Sequence, residues 1–305
     1  MPAPLLIAYQ REFAGQAKRT PAAAQAYCEN LARTHYENFS VGSLLIPKNL
    51  RRHMFAVYAF CRWADDLGDE SASPEEAREA LRWWRGELEA LYAGITDASA
   101  PAPEHLVYLE LRNTIREFAI PAQPFHDLIT AFEMDQDHAS WATFGDLCTY
   151  CRHSANPVGR LVLYLFRVSD PARQLLSDQI CTGLQLANFW QDIARDLKIN
   201  RVYLPAEDMK LFAVTRADLE KPTASHEVRA LLKFEVDRTQ TFFDAGKPLW
   251  DQVPRELAKE LKLFVRGGES VLESIRRQDY DTLVKRPRVT RLMKARLLAG
   301  AMLGM

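Results

Sequence analysis

Apolar residues return every three to four positions along almost the whole chain, a period that builds helices and not half-buried strands. Between Asn49 and Asp66, for example, Met54, Val57, Tyr58 and Cys61 fall at i, i+3, i+4 and i+7, one apolar stripe on one helix face. The same period predicts helices over 21–36, 104–118, 124–138, 143–153, 157–168 and 171–198, and further long ones over 225–247 and 254–278. Ser73-Pro74-Glu75-Glu76 supplies a cap, a first-turn proline and two acids at another helix start. Ala98 to Pro103 reads as a surface loop, and Pro205, Pro222 and Pro248 punctuate the remainder. Strand-like alternation bounded by hairpin signals does not occur, nor does an internal repeat. With only 13 glycines and no linker polar enough to mark a boundary, the expectation is one all-α domain over residues 1–305.

Charge and cysteine usage narrow the function classes. Lys and Arg total 39 against 40 Asp and Glu, so the basic surplus of a phosphate-tracking protein is missing and no nucleic acid partner is expected. Leu5, Leu6 and Ile7 give way to Arg11 and Glu12 without the apolar core of a secretory signal. The longest apolar run, Leu161 to Phe166, falls far short of the ~20 residues a membrane span needs. Five cysteines, an odd number, suit a reducing cytoplasm. Cys148-Thr-Tyr-Cys151 is formally a CxxC, but a zinc site needs a second ligand pair, so two packed helical cysteines are expected. The stretch 288–305 mixes apolar residues with Lys294 and Arg296. It reads as a peripheral helix docked on the bundle, with contact to the inner membrane surface as the second reading.

Two segments carry chemistry. In Arg62-Trp-Ala-Asp65-Asp66-Leu-Gly-Asp69, the acids Asp65, Asp66 and Asp69 share a helix face by their three- and four-residue spacing, and Arg62 lies one turn earlier. In the second segment Asn188, Asp192 and Asp196 recur every four residues, with Gln185 one turn before them. A solvated acidic face near a helix end explains either segment alone. Their neighbours (Phe60, Trp63 and Leu67; Leu186, Phe189, Trp190 and Ile193) are core types instead, and two such columns could face each other across a bundle. Oxygen donors without matching His or Cys select a hard cation, and Mg2+ is held by one or two carboxylates, water and substrate phosphate. A diphosphate is therefore the implied partner. Lys48, Arg51, Arg52, Lys198, Arg201 and Tyr203 flank the two columns. Glu133 and Asp137, between His126 and His138, form a less regular third pair with a solvated or supporting role.

At these residues the chain resembles the squalene and phytoene synthase family over about residues 27 to 280. The ordered motifs are His35-Tyr-Glu-Asn-Phe39-Ser40, Tyr58-Ala-Phe-Cys-Arg62-Trp-Ala-Asp65-Asp66-Leu-Gly-Asp69, Tyr150 in Thr-Tyr-Cys-Arg, Gln185…Asn188…Asp192…Asp196, and Arg201-Val-Tyr203-Leu-Pro205. The resemblance implies an all-α isoprenoid synthase bundle with a central cavity, and a site holding three Mg2+ and a diphosphate. Asp65, Asp69, Asn188, Asp192 and Asp196 match the family's metal-binding positions, with Asp66 completing the first motif. His35, Arg62, Arg201 and Tyr203 match positions around diphosphate, and Tyr150 one that faces the reaction centre. Phe39, Tyr58, Ala155 and Val158 match the lining of the prenyl-chain cavity; Phe189 and Trp190 are further aromatic candidates to face a carbocation.

Two departures point within the family. Tyr150-Cys-Arg-His153-Ser-Ala-Asn156-Pro157-Val-Gly159 and Asn188-Phe-Trp190-Gln191-Asp192 resemble the bacterial hydroxysqualene synthase branch. That branch takes presqualene diphosphate and water to hydroxysqualene in hopanoid formation, so no NADPH is expected. Tyr150, His153 and Asn156 are the candidates to direct the water, and Gln191 stands where an arginine is usual. The alternatives are condensation of two farnesyl diphosphates to presqualene diphosphate or squalene, a helical Mg2+ phosphohydrolase, and a silent scaffold relative. The resemblance also allows functional coupling to other enzymes of squalene formation.

Overall fold

The structure is a computed structural model and describes residues 19–34, 46–97, 99–100, 102–137 and 140–288, with Ile7 and Tyr9. Among them the regular structure is helical apart from one isolated bridge between Ser140 and Val202. Helices α1 (Pro21–Thr34), α2 (Arg51–Asp69), α3 (Pro74–Thr96), α4 (Leu106–Phe118), α5 (Gln123–Asp137), α6 (Phe144–Ser154) and α7 (Asn156–Leu165) are followed by the long α8 (Pro171–Asp196). After α8 come α9 (Ala206–Leu211), α10 (Arg216–Leu219), α11 (His226–Gly246) and α12 (Arg255–Arg277). The short α9 and α10 fall where the sequence offered only proline punctuation, because one or two turns are too few for a period to register. Among the described residues, no helix is long and apolar enough to cross a membrane. The terminal stretch from residue 289, where a docked or membrane-touching helix was expected, lies outside the described residues.

The described residues group into two compact units, one within Met1–Asp137 and Arg160–Ser169, the other within His138–Gly159 and Asp170–Met305. In the first unit α2 is the central helix and packs on α1, α3, α4 and α5. Its apolar face is largely aromatic: Phe60 lies 5.6 Å from Trp84 and 4.9 Å from Phe125, and Trp63 stacks on Trp84 at 5.7 Å. Two polar groups of this cluster are satisfied internally, while the buried Trp84 indole nitrogen has no hydrogen-bond partner. The Trp63 indole donates to the Tyr27 hydroxyl at 2.9 Å, and the Tyr108 hydroxyl donates to the Trp84 carbonyl at 2.6 Å. Arg52 holds the buried Glu110 with both guanidinium arms, tying α2 to α4 and removing Arg52 from the pool of cations free for a ligand. The Ser73 hydroxyl accepts from the Glu76 amide, and Pro74 opens α3, as the sequence predicts.

In the second unit α8 is central and packs on α6, α11 and α12. Close approach of α11 to α8 needs Gly246: a Cβ there would sit 2.5 Å from Ile180 and 3.0 Å from the Leu176 carbonyl. Trp190, proposed from sequence as a cation-facing ring, is instead wholly buried, its indole donating to Thr239 of α11 at 2.8 Å. It lies one position beyond the acidic column's Phe189, about 100° around the helix, and that rotation turns it into core. Arg238 of α11 pairs with Asp208 at 2.5 Å and Glu235 at 2.7 Å and lies over the Phe144 ring at 3.5 Å, fastening α11 to α9 and α6. Cys148 and Cys151 are both free thiols, the second buried, in keeping with packed cysteines of α6.

Glu260 of α12 is 5 % exposed, one of its oxygens has no hydrogen-bond partner, and burial pushes its carboxyl up to about 8. The folded chain therefore keeps the proton while the unfolded chain loses it, and stability falls between about pH 4.5 and pH 8. Replacing Glu260→Gln is expected to raise Tm at about pH 8 and to leave it unchanged near pH 4, measured by thermal melts across that range.

Candidate active site

The first acidic segment occupies the last turns of α2, which runs on to Asp69 instead of stopping at Asp66. Asp66 is buried and accepts from two Arg62 nitrogens, one at 3.0 Å, while the third Arg62 nitrogen lies 3.5 Å from Asp65. Asp66 thus spends its carboxylate on holding Arg62. Asp65 is half-buried, and its carboxyl is pushed up to about 6, first by burial and then by the charge of Asp69, against the pull of Arg62. Tyr58, one turn before Arg62, is half-buried, and burial raises its hydroxyl.

Asp135 of α5 also adds negative charge around Asp65, a contribution that sequence spacing did not single out. The acids that spacing did single out on α5 point to other work. Glu133 pairs with Arg85 at 2.8 Å, and Asp137 pairs with Arg78, both arginines on α3. The His126 ring nitrogen lies 3.1 Å from the same Arg85. Asp135 lies two residues from each of the paired acids, about 200° around the helix, and that rotation was the missed signal.

The second column lies on the last three turns of α8. Asp170 caps the helix start, accepting from the Arg173 amide at 3.2 Å, and Pro171 fills the first turn. Gln185, Asp192 and Asp196 are half-buried and Asn188 is exposed. Burial and the neighbouring Asp192 push Asp196 up to about 7, opposed by Arg195, Arg201 and Arg286. Past Asp196 one 3-10 turn, Leu197–Ile199, ends at Asn200 in the left-handed region with φ 61°. That turn reverses the chain, and the Arg201 amide donates to the Asp196 carbonyl at 2.9 Å.

The reversal delivers Tyr203 onto Phe189, their rings stacked 3.9 Å apart and 7° from parallel. Tyr150 of α6 stands 6.0 Å from Tyr203 and 6.1 Å from Phe189, with Trp141 4.8 Å on its other side. Phe189, Ile193, Asp196, Arg201, Tyr203 and Leu219 line a small pocket, so an acid, a base and an aromatic wall named from sequence meet there. Ala155 and Val158 lie half-buried at the α6–α7 junction, beside the buried Asn156, whose oxygen accepts from Thr182 at 3.0 Å. His35, Phe39 and His138 lie outside the described residues.

Sequence reasoning also missed Arg286. It grips Asp192 with two nitrogens, one at 2.9 Å, and donates to the Gln191 oxygen at 3.2 Å. Among the described residues no three His, Cys, Asp or Glu side chains gather into a closed metal cage. The donor set still fits Mg2+, which keeps much of its water and takes one or two carboxylates at a time. A carboxylate raised by burial and then by a neighbouring acid, as Asp196 is, is a group whose ionised form a divalent cation stabilises.

The fold is that of the squalene synthase HpnC of Alicyclobacillus acidocaldarius, to which this chain is 45% identical with a TM-score of 0.79, covering 85% of this chain and 95% of that one. That likeness sets the class: an all-α enzyme of the isoprenoid synthase fold. Residues 32–293 match the squalene/phytoene synthase family, and the chain belongs to it. Relatives include the phytoene synthase of Arthrospira platensis, 28% identical over 93% of this chain and 95% of that protein. The presqualene diphosphate synthase of Rhodopseudomonas palustris is 30% identical over 77% of this chain and 82% of that protein. The protein is accordingly an enzyme that converts a prenyl diphosphate.

Asn200 carries the turn that seats Arg201 and Tyr203, and a β-branched side chain resists the left-handed region by about 1–2 kcal/mol. Asn200→Val is expected to lower stability by about that amount and to raise KM for the diphosphate substrate, whereas Asn200→Gly keeps both near wild type. Steady-state kinetics and denaturant unfolding check this.

Proposed function

We propose that the enzyme ionises presqualene diphosphate and directs water onto the resulting cation, releasing hydroxysqualene and diphosphate. The observation that carries this reading is the pair of motif variants at Asn156 and Gln191. The 45% identity to the squalene synthase HpnC, against 28% and 30% to the phytoene and presqualene diphosphate synthases, supports the squalene-forming side of the family. Asn156 and Gln191 are both buried and both hydrogen-bonded. The second reading, condensation of two farnesyl diphosphates to presqualene diphosphate, is favoured by the likeness to the Rhodopseudomonas palustris enzyme.

In this reading Asp65 and Asp69 of α2 and Asn188, Asp192 and Asp196 of α8 hold Mg2+, three ions by the family resemblance. Bound there, Mg2+ supplies Lewis-acid stabilisation to the departing diphosphate. Arg62 and Arg201 meet the charge that develops on the leaving group, and Asp66 fixes the direction of Arg62. Gln185, one turn before Asn188, extends the column of polar oxygens, and His35 and Tyr203 complete the diphosphate surroundings. Phe39, Tyr58, Ala155 and Val158 shape the path of the prenyl chain. The stacked Tyr203 and Phe189 rings with Tyr150 offer aromatic faces to a carbocation, each interaction contributing about 0.5–2 kcal/mol. An apolar surround also keeps water from the cation until rearrangement is complete. Tyr150 and His153 near the end of α6 and Asn156 at the start of α7 are assigned the task of directing that water. In this reading the enzyme acts in the cytoplasm; a water-insoluble product is the reason for the second reading of its location, contact with the inner membrane's surface and coupling to other enzymes of squalene formation.

Product analysis tests the reading. Purified protein with Mg2+, given presqualene diphosphate without NADPH, is expected to release an alcohol of squalene carbon number. Squalene formed only when NADPH is added, or only presqualene diphosphate formed from farnesyl diphosphate, overturns it.

A further inference from the structure

The amide of Gln191 is used at both ends. Its nitrogen donates to the Pro287 carbonyl at 2.6 Å, and its oxygen accepts from Arg286 at 3.2 Å. A carboxamide can donate to a carbonyl and accept from a guanidinium at once; an arginine at 191 could do the first but not the second. The residue is 7 % exposed, so neither bond is readily replaced by bulk water.

The segment that carries Arg286 is anchored on its other side as well. Asp281 is buried, accepts from the amides of Leu283, Val284 and Ala224 at 3.2–3.3 Å, and pairs with Arg229 at 2.9 Å. Between these two anchors Arg286 is set down on Asp192, covering both carboxylate oxygens. A guanidinium in that position occupies the same lone pairs that a divalent cation would take. The pair is open enough to exchange, with the Arg286 side chain 44% and the Asp192 side chain 17% exposed.

We propose that Gln191 is a positioning residue that seats Arg286 on Asp192, where Arg286 serves as a resident counter-cation that a divalent ion must displace. The inference rests on the reading of Asp192 as a metal-binding residue. No bond is made or broken: one cation replaces another on the carboxylate, and Arg286 is released beside it. A cost of this kind lowers apparent affinity by the fraction of molecules whose carboxylate is open. Metal binding before substrate is thereby weakened, and the guanidinium stabilises the metal-free protein in place of the ion.

The test is Mn2+ binding to the full-length protein without any diphosphate, followed by electron paramagnetic resonance of the free ion. Arg286→Met and Gln191→Met are each expected to tighten Mn2+ binding by about three- to tenfold. The double variant is expected to match Arg286→Met alone, because Gln191 acts through Arg286. Gln191→Met keeps the cation and loses only its seat, so unchanged affinity there, or additive effects in the double variant, overturns the positioning role. Unchanged or weaker binding in Arg286→Met overturns the displacement. Arg286→Lys, which keeps charge but cannot span both oxygens, is expected to tighten binding by less and serves if the methionine variant fails to fold. Asp192→Asn separates the two readings: if it binds as many Mn2+ ions as wild type, the metal assignment itself falls, whatever Arg286 does.

Discussion

Repulsion between carboxylates stacked one turn apart is the constraint around which the second unit is organised. Asp192 and Asp196 occupy consecutive turns of α8, and the retained proton on Asp196 registers the cost of placing them together on a half-buried face. Cations are brought to the column to meet it: Arg201 by the left-handed turn at Asn200, and Arg286 from the segment that follows α12. The end of α2 repeats the pattern, with Arg62 held by Asp66 and Asp65 crowded by Asp69. Both columns thus carry a demand for positive charge, which in the proposed function Mg2+ with a diphosphate would meet.

Rigidity behind each column makes that demand specific. The aromatic stack of Phe60, Trp63 and Trp84 fixes the buried face of α2, so the acids on its other side keep their direction. On α8 the same task falls to Trp190 with Thr239 and to the close approach of α11 at Gly246. Positions one residue apart on these helices therefore do opposite work. Phe189 belongs to the aromatic wall beside Tyr203, and Trp190 belongs to the core.

The helices were legible because a period of 3.6 survives any choice among apolar residues, and the acidic columns proposed as the site stood out because acids at four-residue spacing are costly without a reason. What spacing cannot convey is the direction in which a face points. Glu133 and Asp137 share a face of α5, yet that face meets the arginines of α3, and it is Asp135 that adds to the charge around Asp65. Nor can spacing join residues distant in the chain. Arg286 sits among Lys285 and Arg288 in a run that reads as solvated surface, and its partner is 94 residues away. The replacement of an arginine by Gln191 looked like the loss of a cation; the structure shows Asp192 paired with a cation that Gln191 helps to hold.

The central claim is that these carboxylates exist to bind a diphosphate through divalent ions. Calorimetric titration with inorganic diphosphate, with and without Mg2+, measures this most directly on the wild type and on Asp65→Asn and Asp192→Asn. The account predicts binding that requires Mg2+ and is lost or weakened at least tenfold, about 1.4 kcal/mol, in either variant. Equal binding without Mg2+, or binding indifferent to both substitutions, would contradict it.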